Sequence, residues 1–466
     1  MLKNSFWIIL FAFGGILSSQ TVHSWKGALT FSGKTLRINF HIESTASGCK
    51  ATMDSPDQGA YGITFSQCHL VNDSIYLTAP QMMAEYRGRF LTSDSIQGIW
   101  AQGGVELPLN LKPFSPDKNS GTIRRPQTPN PPFVYRSIDL TFQNEKDGIR
   151  LAGTLTLPKD SGKTLYPAVV LVSGSGPQNR DEEIFGHKPF AVLADYLTQR
   201  GIAVLRYDDR GTGASEGEFK QGTSEDFSKD AEAAWRLMAQ HPEIHPGKIG
   251  IIGHSEGGFI AAMIAARNRK VAFLVSLAGP GIPHDQLLME QSKALMPPDG
   301  EDIQKTLAFN QACYNLIKTE KNPEILDAQI RKLCLDYYLA GNNDYPEGKK
   351  AAEKQAEAMR QAILSPWFKA FIQSNPGDYW KKVKCPVLAL NGELDLQVLP
   401  VSNLRGIQKN LPKKTKLQSC FIEMNGLNHL FQPAITGKPE EYGDITTTFS
   451  ESALNAIGDW IRKTIK

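Results

Sequence analysis

Cysteine is scarce in this chain, six residues in 466, with no CxxC and no Cys/His cluster at metal-ligand spacing. That excludes a zinc-built fold. The length in turn excludes a small scaffold that depends on metal or disulfide staples, because such a chain can bury large cores. Charge of one sign is lacking too. Lys+Arg 51 against Asp+Glu 48 leaves +3, too balanced for a general nucleic-acid binder. Beyond residue 17 no apolar run approaches the ~18 residues of a membrane span, and no internal repeat is visible. What remains is an ordinary globular composition, 41% hydrophobic and 21% charged. Its length predicts about three domain-equivalents at ~150 residues each.

The first residues have the pattern of a secretory signal peptide. Lys3 supplies a positive charge, Phe6 to Leu17 is apolar, and Ser18-Ser19 are small residues suited to cleavage. A signal over 1–19 is expected, with cleavage near Ser19 or alternatively at Ser24. The competing reading is an uncleaved anchor. No cysteine follows the apolar run, so a lipid anchor is not expected. Export makes disulfides plausible chemistry. The six cysteines fall into local pairs: Cys49 with Cys68, Cys313 with Cys334, and Cys385 with Cys420. Small buried hydrophobes are the alternative for each.

Residues 24–112 alternate polar and apolar in short runs such as SWKGALTF, KTLRINFHI and DSIYLTA, separated by turn signals. This predicts an antiparallel β-barrel or sandwich of about eight strands. Trp25 and Trp100 are expected in its core rather than on a ligand. Residues 113–134 carry six prolines among polar residues and predict a semi-rigid linker, with Arg124-Arg125 solvated in it. From 135 onward the pattern changes. SIDLTF and IRLAGTLTLP predict an antiparallel edge pair. The continuous apolar runs at 168–174, 202–208, 248–254, 271–279, 386–392 and 420–426 predict parallel strands buried on both faces. Helical stretches lie between them, so the expected fold is α/β with a doubly wound, mostly parallel sheet over 135–466, closed by a helix at 447–464. The segment of about a hundred residues between the runs at 279 and 386 is too long for a structureless loop. It predicts a helical cap at about 283–382 over the carboxyl ends of the strands.

Gly253-His254-Ser255-Glu256-Gly257 matches G-x-S-x-G, with an apolar strand entering and a helix leaving. That context predicts a nucleophile elbow with Ser255 strained and exposed at the turn. A serine hydroxyl needs a histidine base, itself held by an acid, and in this topology the order is serine, acid, histidine. Only His284 and His429 follow Ser255. His284 precedes any acid strand, which leaves His429, in the loop after the last strand. The loop after PVLALNG offers Glu393 and Asp395, and Asp395 is preferred. The oxyanion donors are expected to be the backbone N–H groups of Glu256 and of Ser175, with Gly176 the alternative to Ser175. Asp208-Asp209-Arg210 is expected to anchor its loop by salt bridges, and His187 to pack at a helix start.

These residues resemble the α/β-hydrolase superfamily, and more narrowly the secreted bacterial esterases and serine aminopeptidase-like hydrolases with an N-terminal β-domain. The resemblance rests on VSGSGPQNRDE, GIAVLRYDDRGTGAS, IGIIGHSEGG, CPVLALNGELDLQV and GLNHLF, in that order. It implies nucleophile, acid and base at Ser255, Asp395 and His429, with no metal or organic cofactor. Ser173-Gly174 stands where many relatives have His-Gly, which puts the second oxyanion donor in doubt. Residues 24–112 resemble the lipocalin-like domain of some of these esterases.

The expected activity is hydrolysis of small carboxylic esters by an exported enzyme. A serine aminopeptidase or peptidase is the alternative, with an amine anchor such as Glu301-Asp302 in the cap. A non-catalytic lipid- or glycan-binding protein is the third reading. No nucleic-acid partner and no membrane insertion after signal cleavage are expected, and oligomeric state is not legible. Trp367, Phe368, Phe371 and Trp380 form an aromatic cluster that lines an acyl pocket or packs the cap, with packing preferred.

Overall fold

The computed structural model describes residues 22–466 apart from 32–33, 46–47, 56–59, 80–81, 83, 103–104, 115–124, 160–164, 297–300 and 341–345. The expected signal peptide at 1–19 lies outside the described residues. The chain divides into two compact units that part after Pro116.

In the N-terminal unit the alternation becomes ten strands among the described residues: β1 (Val22–Phe31), β2 (Lys34–Thr45), β3 (Gly48–Ser55), β4 (Ala60–Thr64), β5 (Gln67–Val71), β6 (Ser74–Ala79), β7 (Ala84–Thr92), β8 (Ser95–Gln102), β9 (Val105–Pro108) and β10 (Lys112–Pro113). No closed barrel is seen among the described residues. The strands form two five-stranded sheets, β10-β1-β2-β3-β4 and β5-β6-β7-β8-β9, antiparallel throughout. The inward residues of both build one core, in which Phe40 packs edge-on against Phe65 and Tyr86. Trp25 and Trp100 are buried in it, as expected. The Tyr86 phenol occupies space left by Gly88 and Gly98 and donates to the Leu109 carbonyl at 3.0 Å. Cys49 on β3 is disulfide-bonded to Cys68 on β5 and so staples one sheet to the other.

The second unit has a mixed eight-stranded sheet: β11 (Arg136–Asn144), β12 (Ile149–Leu157), β13 (Tyr166–Val172), β14 (Ala203–Tyr207), β15 (Ile244–His254), β16 (Leu274–Leu277), β17 (Val387–Gly392) and β18 (Cys420–Met424). Their order is β11-β12-β14-β13-β15-β16-β17-β18. The first two are the antiparallel edge pair, and from β14 onward the pairing is parallel. The apolar runs are continuous because both faces are covered. Along β13, Ala168, Val170 and Val172 enter one core while Val169 and Leu171 enter the other, as the two-residue period of a strand requires. α1 (Pro189–Thr198) and the closing α12 (Glu451–Thr464) cover one face. α2 (Ser224–Gln240), α3 (Glu256–Arg267) and later α10 (Pro400–Asn410) cover the other. In α12 the buried residues Ala453, Leu454, Ile457, Gly458 and Ile461 fall on one helical stripe.

Among the described residues six helices lie between β16 and β17: α4 (His284–Leu295), α5 (Glu301–Thr319), α6 (Pro323–Leu339), α7 (Pro346–Ile363), α8 (Pro366–Gln373) and α9 (Gly377–Trp380). The first five share a core of their own around Phe309, Cys313, Ile317, Ile330 and Cys334, whereas Trp380 of α9 joins the core of the main sheet. Cys313 and Cys334 are free thiols in that core, and burial pushes Cys313 up to about 12. The expected pair is therefore two small hydrophobes. Cys385 and Cys420 are also free.

The proline-rich segment departs from the expected free linker at its end. Arg125 donates to the carbonyls of Phe185, Gly443 and Ile445, and Gln127 accepts from the Thr448 and Phe449 N–H groups. The chain is thus fastened to the second unit from residue 125, because an arginine can satisfy several orphaned loop carbonyls at once. Arg124 lies outside the described residues. No helix among the described residues is long and apolar enough to cross a membrane.

Replacing Cys49 and Cys68 by serine is expected to destabilise the N-terminal unit by about 3 kcal/mol, the chain entropy released from a closed loop of this length. Chemical denaturation followed by a probe in each unit checks it: the N-terminal transition moves and the other does not.

Candidate active site

β15 ends at His254 and α3 begins at Glu256, so one residue, Ser255, must reverse the chain. It does so at φ +52°, a backbone region that a residue with a side chain rarely occupies. Crowding on both sides explains the motif's glycines. A Cβ on Gly253 would come within 2.0 Å of the Gly257 carbonyl oxygen, and one on Gly257 within 2.1 Å of the Val172 oxygen. The Ser255 N–H donates to Leu277 O of the neighbouring strand at 2.8 Å, which fixes the turn to the sheet.

Asp395 and His429 come from the loops after β17 and β18. His429 Nδ1 lies 2.8 Å from Asp395 Oδ2. The Asp395 carboxylate is buried and also accepts from Asn391 Nδ2 and from the N–H groups of Gln397 and Val398, at 2.8–3.0 Å. Four hydrogen-bond partners on one carboxyl group hold it in place and aimed at the imidazole. With Nδ1–H given to Asp395, His429 keeps its Nε2 lone pair. Glu393, the weaker candidate, is exposed and accepts from the Gly426 N–H. His284 is buried at the start of α4, stacked 3.6 Å from the Phe371 ring, and desolvation lowers it to about 3. It is a packing residue. So is His187, which meets Thr448 and Tyr442 and which burial lowers to about 4.

Ser255 and His429 line one cavity of about 260 Å³. Ser175 and Glu256 line it as well, whereas Gly176 is not among its walls. Gly174 stands so close that an added Cβ would sit 3.1 Å from that of Ser255. Leu287 and Leu288 of α4, Trp367 and Phe371 of α8, and Leu430 supply apolar wall. The aromatic cluster is therefore divided. Trp367 and Phe371 face the cavity, Phe368 packs on Tyr314 within the cap, and Trp380 is buried in the core of the main sheet. The side chains of Glu301 and Asp302 lie outside the described residues. Among the described residues no group of three or more His, Cys, Asp or Glu is placed to hold a metal ion.

Two side chains beside Ser255 are tied into the site in ways the motif does not reveal. Glu256 is buried and accepts from Ser224 Oγ at 2.5 Å, Ser175 Oγ at 2.8 Å and Trp367 Nε1 at 2.9 Å. Desolvation raises its pKa, and these neutral donors only partly offset that. His254 places Nδ1 2.9 Å from Glu182 Oε1 and Nε2 3.0 Å from the His429 carbonyl oxygen. The same Glu182 oxygen accepts the Gly174 N–H at 2.7 Å.

Behind the cavity, Asp208 is paired with Arg180, and Arg210 with Asp230 and Asp147, the expected loop anchor. Asp209 differs. It accepts from Ser173 Oγ and the Gln178 N–H, but desolvation pushes it up to about 8.

Comparison with known proteins places residues 147–417 within the model of the X-Pro dipeptidyl-peptidase (S15) family. That stretch contains Ser255 and Asp395 and ends before His429. Esterase EstD of Thermotoga maritima is 31% identical over 195 residues, 42% of this chain and 43% of that protein. An uncharacterised Pseudomonas aeruginosa protein is 26% identical over 220 residues, 44% of this chain and 55% of that one. The chain thus spans about half the length of the curated relatives it matches. A crystal structure of that Pseudomonas protein aligns with TM-score 0.45 at 17% identity, covering 73% of this chain and 97% of that chain.

Because the folded chain keeps a proton on Asp209 that the unfolded chain releases near pH 4, stability falls as pH rises from about 4 to 8. Asp209→Asn is expected to melt close to the parent below pH 4 and progressively above it toward pH 8. Melting temperatures across that range check this.

Proposed function

The chain belongs to the X-Pro dipeptidyl-peptidase (S15) family, and from that premise we propose that it is an exported serine hydrolase cleaving small, neutral carboxylic esters through an acyl-enzyme. The observation that carries this reading is the buried Asp395–His429 bond opening onto the same cavity as Ser255. In the proposed mechanism His429 Nε2 takes the Ser255 proton as Oγ attacks the acyl carbon. Asp395 stabilises the imidazolium that results. The backbone N–H groups of Glu256 and Ser175 receive the oxyanion. His429 then protonates the departing alcohol, and water, activated by the same imidazole, releases the acid. The chain's own residues supply every group this sequence uses.

The substrate preference follows from the walls. The described lining has no Lys or Arg, its His254 is already engaged by Glu182, and Glu256 adds a carboxyl group, so it leaves no unengaged cation for an acidic acyl group. Export is supported by the composition of residues 1–19 and by the Cys49–Cys68 disulfide, which persists in oxidising compartments.

A second reading, cleavage of a peptide after a short N-terminal segment, has two supports. One is the family match. The other is Glu256, a carboxyl group at the cavity wall whose hydrogen-bond donors are all neutral, so that a substrate ammonium would be its first cationic partner.

Ser255→Ala is expected to lower kcat on the order of 10⁴–10⁶-fold, as for other triad nucleophiles, and Asp395→Asn by about 10⁴-fold. Steady-state kinetics on p-nitrophenyl esters beside aminoacyl-prolyl anilides separate the two readings. A kcat/KM for the anilides equal to or above that for the esters gives the answer to the peptidase.

A further inference from the structure

The motif reading leaves His254 without a task, yet it is one of the most completely specified side chains in the molecule. Both ring nitrogens face acceptors. Nε2 lies 3.0 Å from a backbone carbonyl, His429 O, which can only accept. Nε2 therefore carries a proton. Nδ1 lies 2.9 Å from Glu182 Oε1, an oxygen that already accepts the Gly174 N–H. A neutral imidazole has one N–H; donation at both positions requires the imidazolium. The ring is buried, with 7% of the residue exposed, and Glu182 is 4% exposed, so the pair is shielded from solvent and from salt.

What the pair connects is the point of interest. Through Nε2 it holds the backbone of the base itself. Through Glu182 it holds the N–H of Gly174, the glycine packed against Ser255 on the loop that carries Ser175. Glu182 sits at φ +50°, a conformation that costs energy and persists only where its surroundings impose it. We propose that His254, as an imidazolium paired with Glu182, is a positioning residue that locks the His429 loop and the Gly174–Ser175 loop to the nucleophile turn, and that its deprotonation, rather than that of a triad member, sets the alkaline limit of activity. This rests on the serine-hydrolase reading above.

The charges around His254 agree with the assignment. Glu182 faces it from the loop before α1, and Asp395 and its partner His429 face it from the loops after β17 and β18. Asp209 lies beyond Glu182 and feels its charge. Burial opposes the charged ring, but Glu182, the His429 carbonyl and Asp395 outweigh it, and the net shift is upward. A histidine raised in the fold contributes its full stabilisation below its ordinary value near 6.5 and loses it as pH rises through the folded value. The limit therefore falls on the alkaline side.

The test is the pH dependence of kcat/KM on a p-nitrophenyl ester for the full chain and two variants, with melting temperature confirming that each is folded. His254→Asn can still donate to the His429 carbonyl but does not titrate. It is expected to lose the alkaline limb while keeping the acid limb, with kcat/KM lowered by up to about 100-fold, the cost of a small misplacement. Glu182→Gln keeps acceptor geometry but removes the charge, and is expected to move the alkaline limb down by about one pH unit or more. An alkaline limb at the parental pH in folded His254→Asn, or unmoved in folded Glu182→Gln, overturns the proposal while leaving the hydrolase reading intact. Parental activity in Ser255→Ala overturns that reading and the proposal with it.

Discussion

The turn at Ser255 is the constraint on which the rest of the site depends. One residue at positive φ must join a strand to a helix, and two glycines with no room for a methyl group allow it. Because the turn is that tight, its neighbours are forced to opposite sides. His254 looks back toward the base loop, and Glu256 looks toward the cap and the loop of Ser175. A single pentapeptide thus touches the base loop, the loop of Ser175 and the cap. The parallel strands bring the loops there in the first place: β13, β15, β17 and β18 all end on the same side of the sheet, so residues 173–182, 255, 395 and 429 converge although they are far apart in the chain.

The cap contributes contact as well as cover. Trp367 reaches from α8 to the Glu256 carboxylate, and Phe371, one helical turn later, stacks on it and on His284. This ties the first and fifth cap helices to the elbow through aromatic faces and one hydrogen bond. The N-terminal unit has a different logic. Its two sheets bury aromatic residues between them, and its disulfide crosses from one sheet to the other.

Much of this was legible in the residues. The convergence of Ser255, Asp395 and His429 was readable because topology restricts the order of the loops that carry them, and only two histidines follow the serine. The strands of the main sheet were readable because burial on both faces leaves unbroken apolar runs. Other features had no local signal. Period-two alternation describes a strand in an open sheet and in a closed barrel equally, so it could not tell that the first unit has two sheets. Cys49 with Cys68 and Cys313 with Cys334 have similar spacings, yet only the strands bring their sulfurs together. Glu182 and the side chains of His254 and Glu256 were missed because their partners are defined by crossings of the sheet, not by spacing. An unusual run of charge in NRDEE was the one hint. Arg125 looked solvated because nothing in the sequence shows the loop carbonyls that it binds.

The central claim is that Ser255 is a nucleophile activated by His429. The measurement that tests it most directly is labelling with an active-site fluorophosphonate, followed by intact mass and peptide mapping. One adduct per chain, on the peptide containing Ser255, absent in Ser255→Ala and slowed by several orders of magnitude in His429→Ala, is the predicted result. No adduct on the folded parent, or an adduct on another residue that persists in Ser255→Ala, would contradict the account.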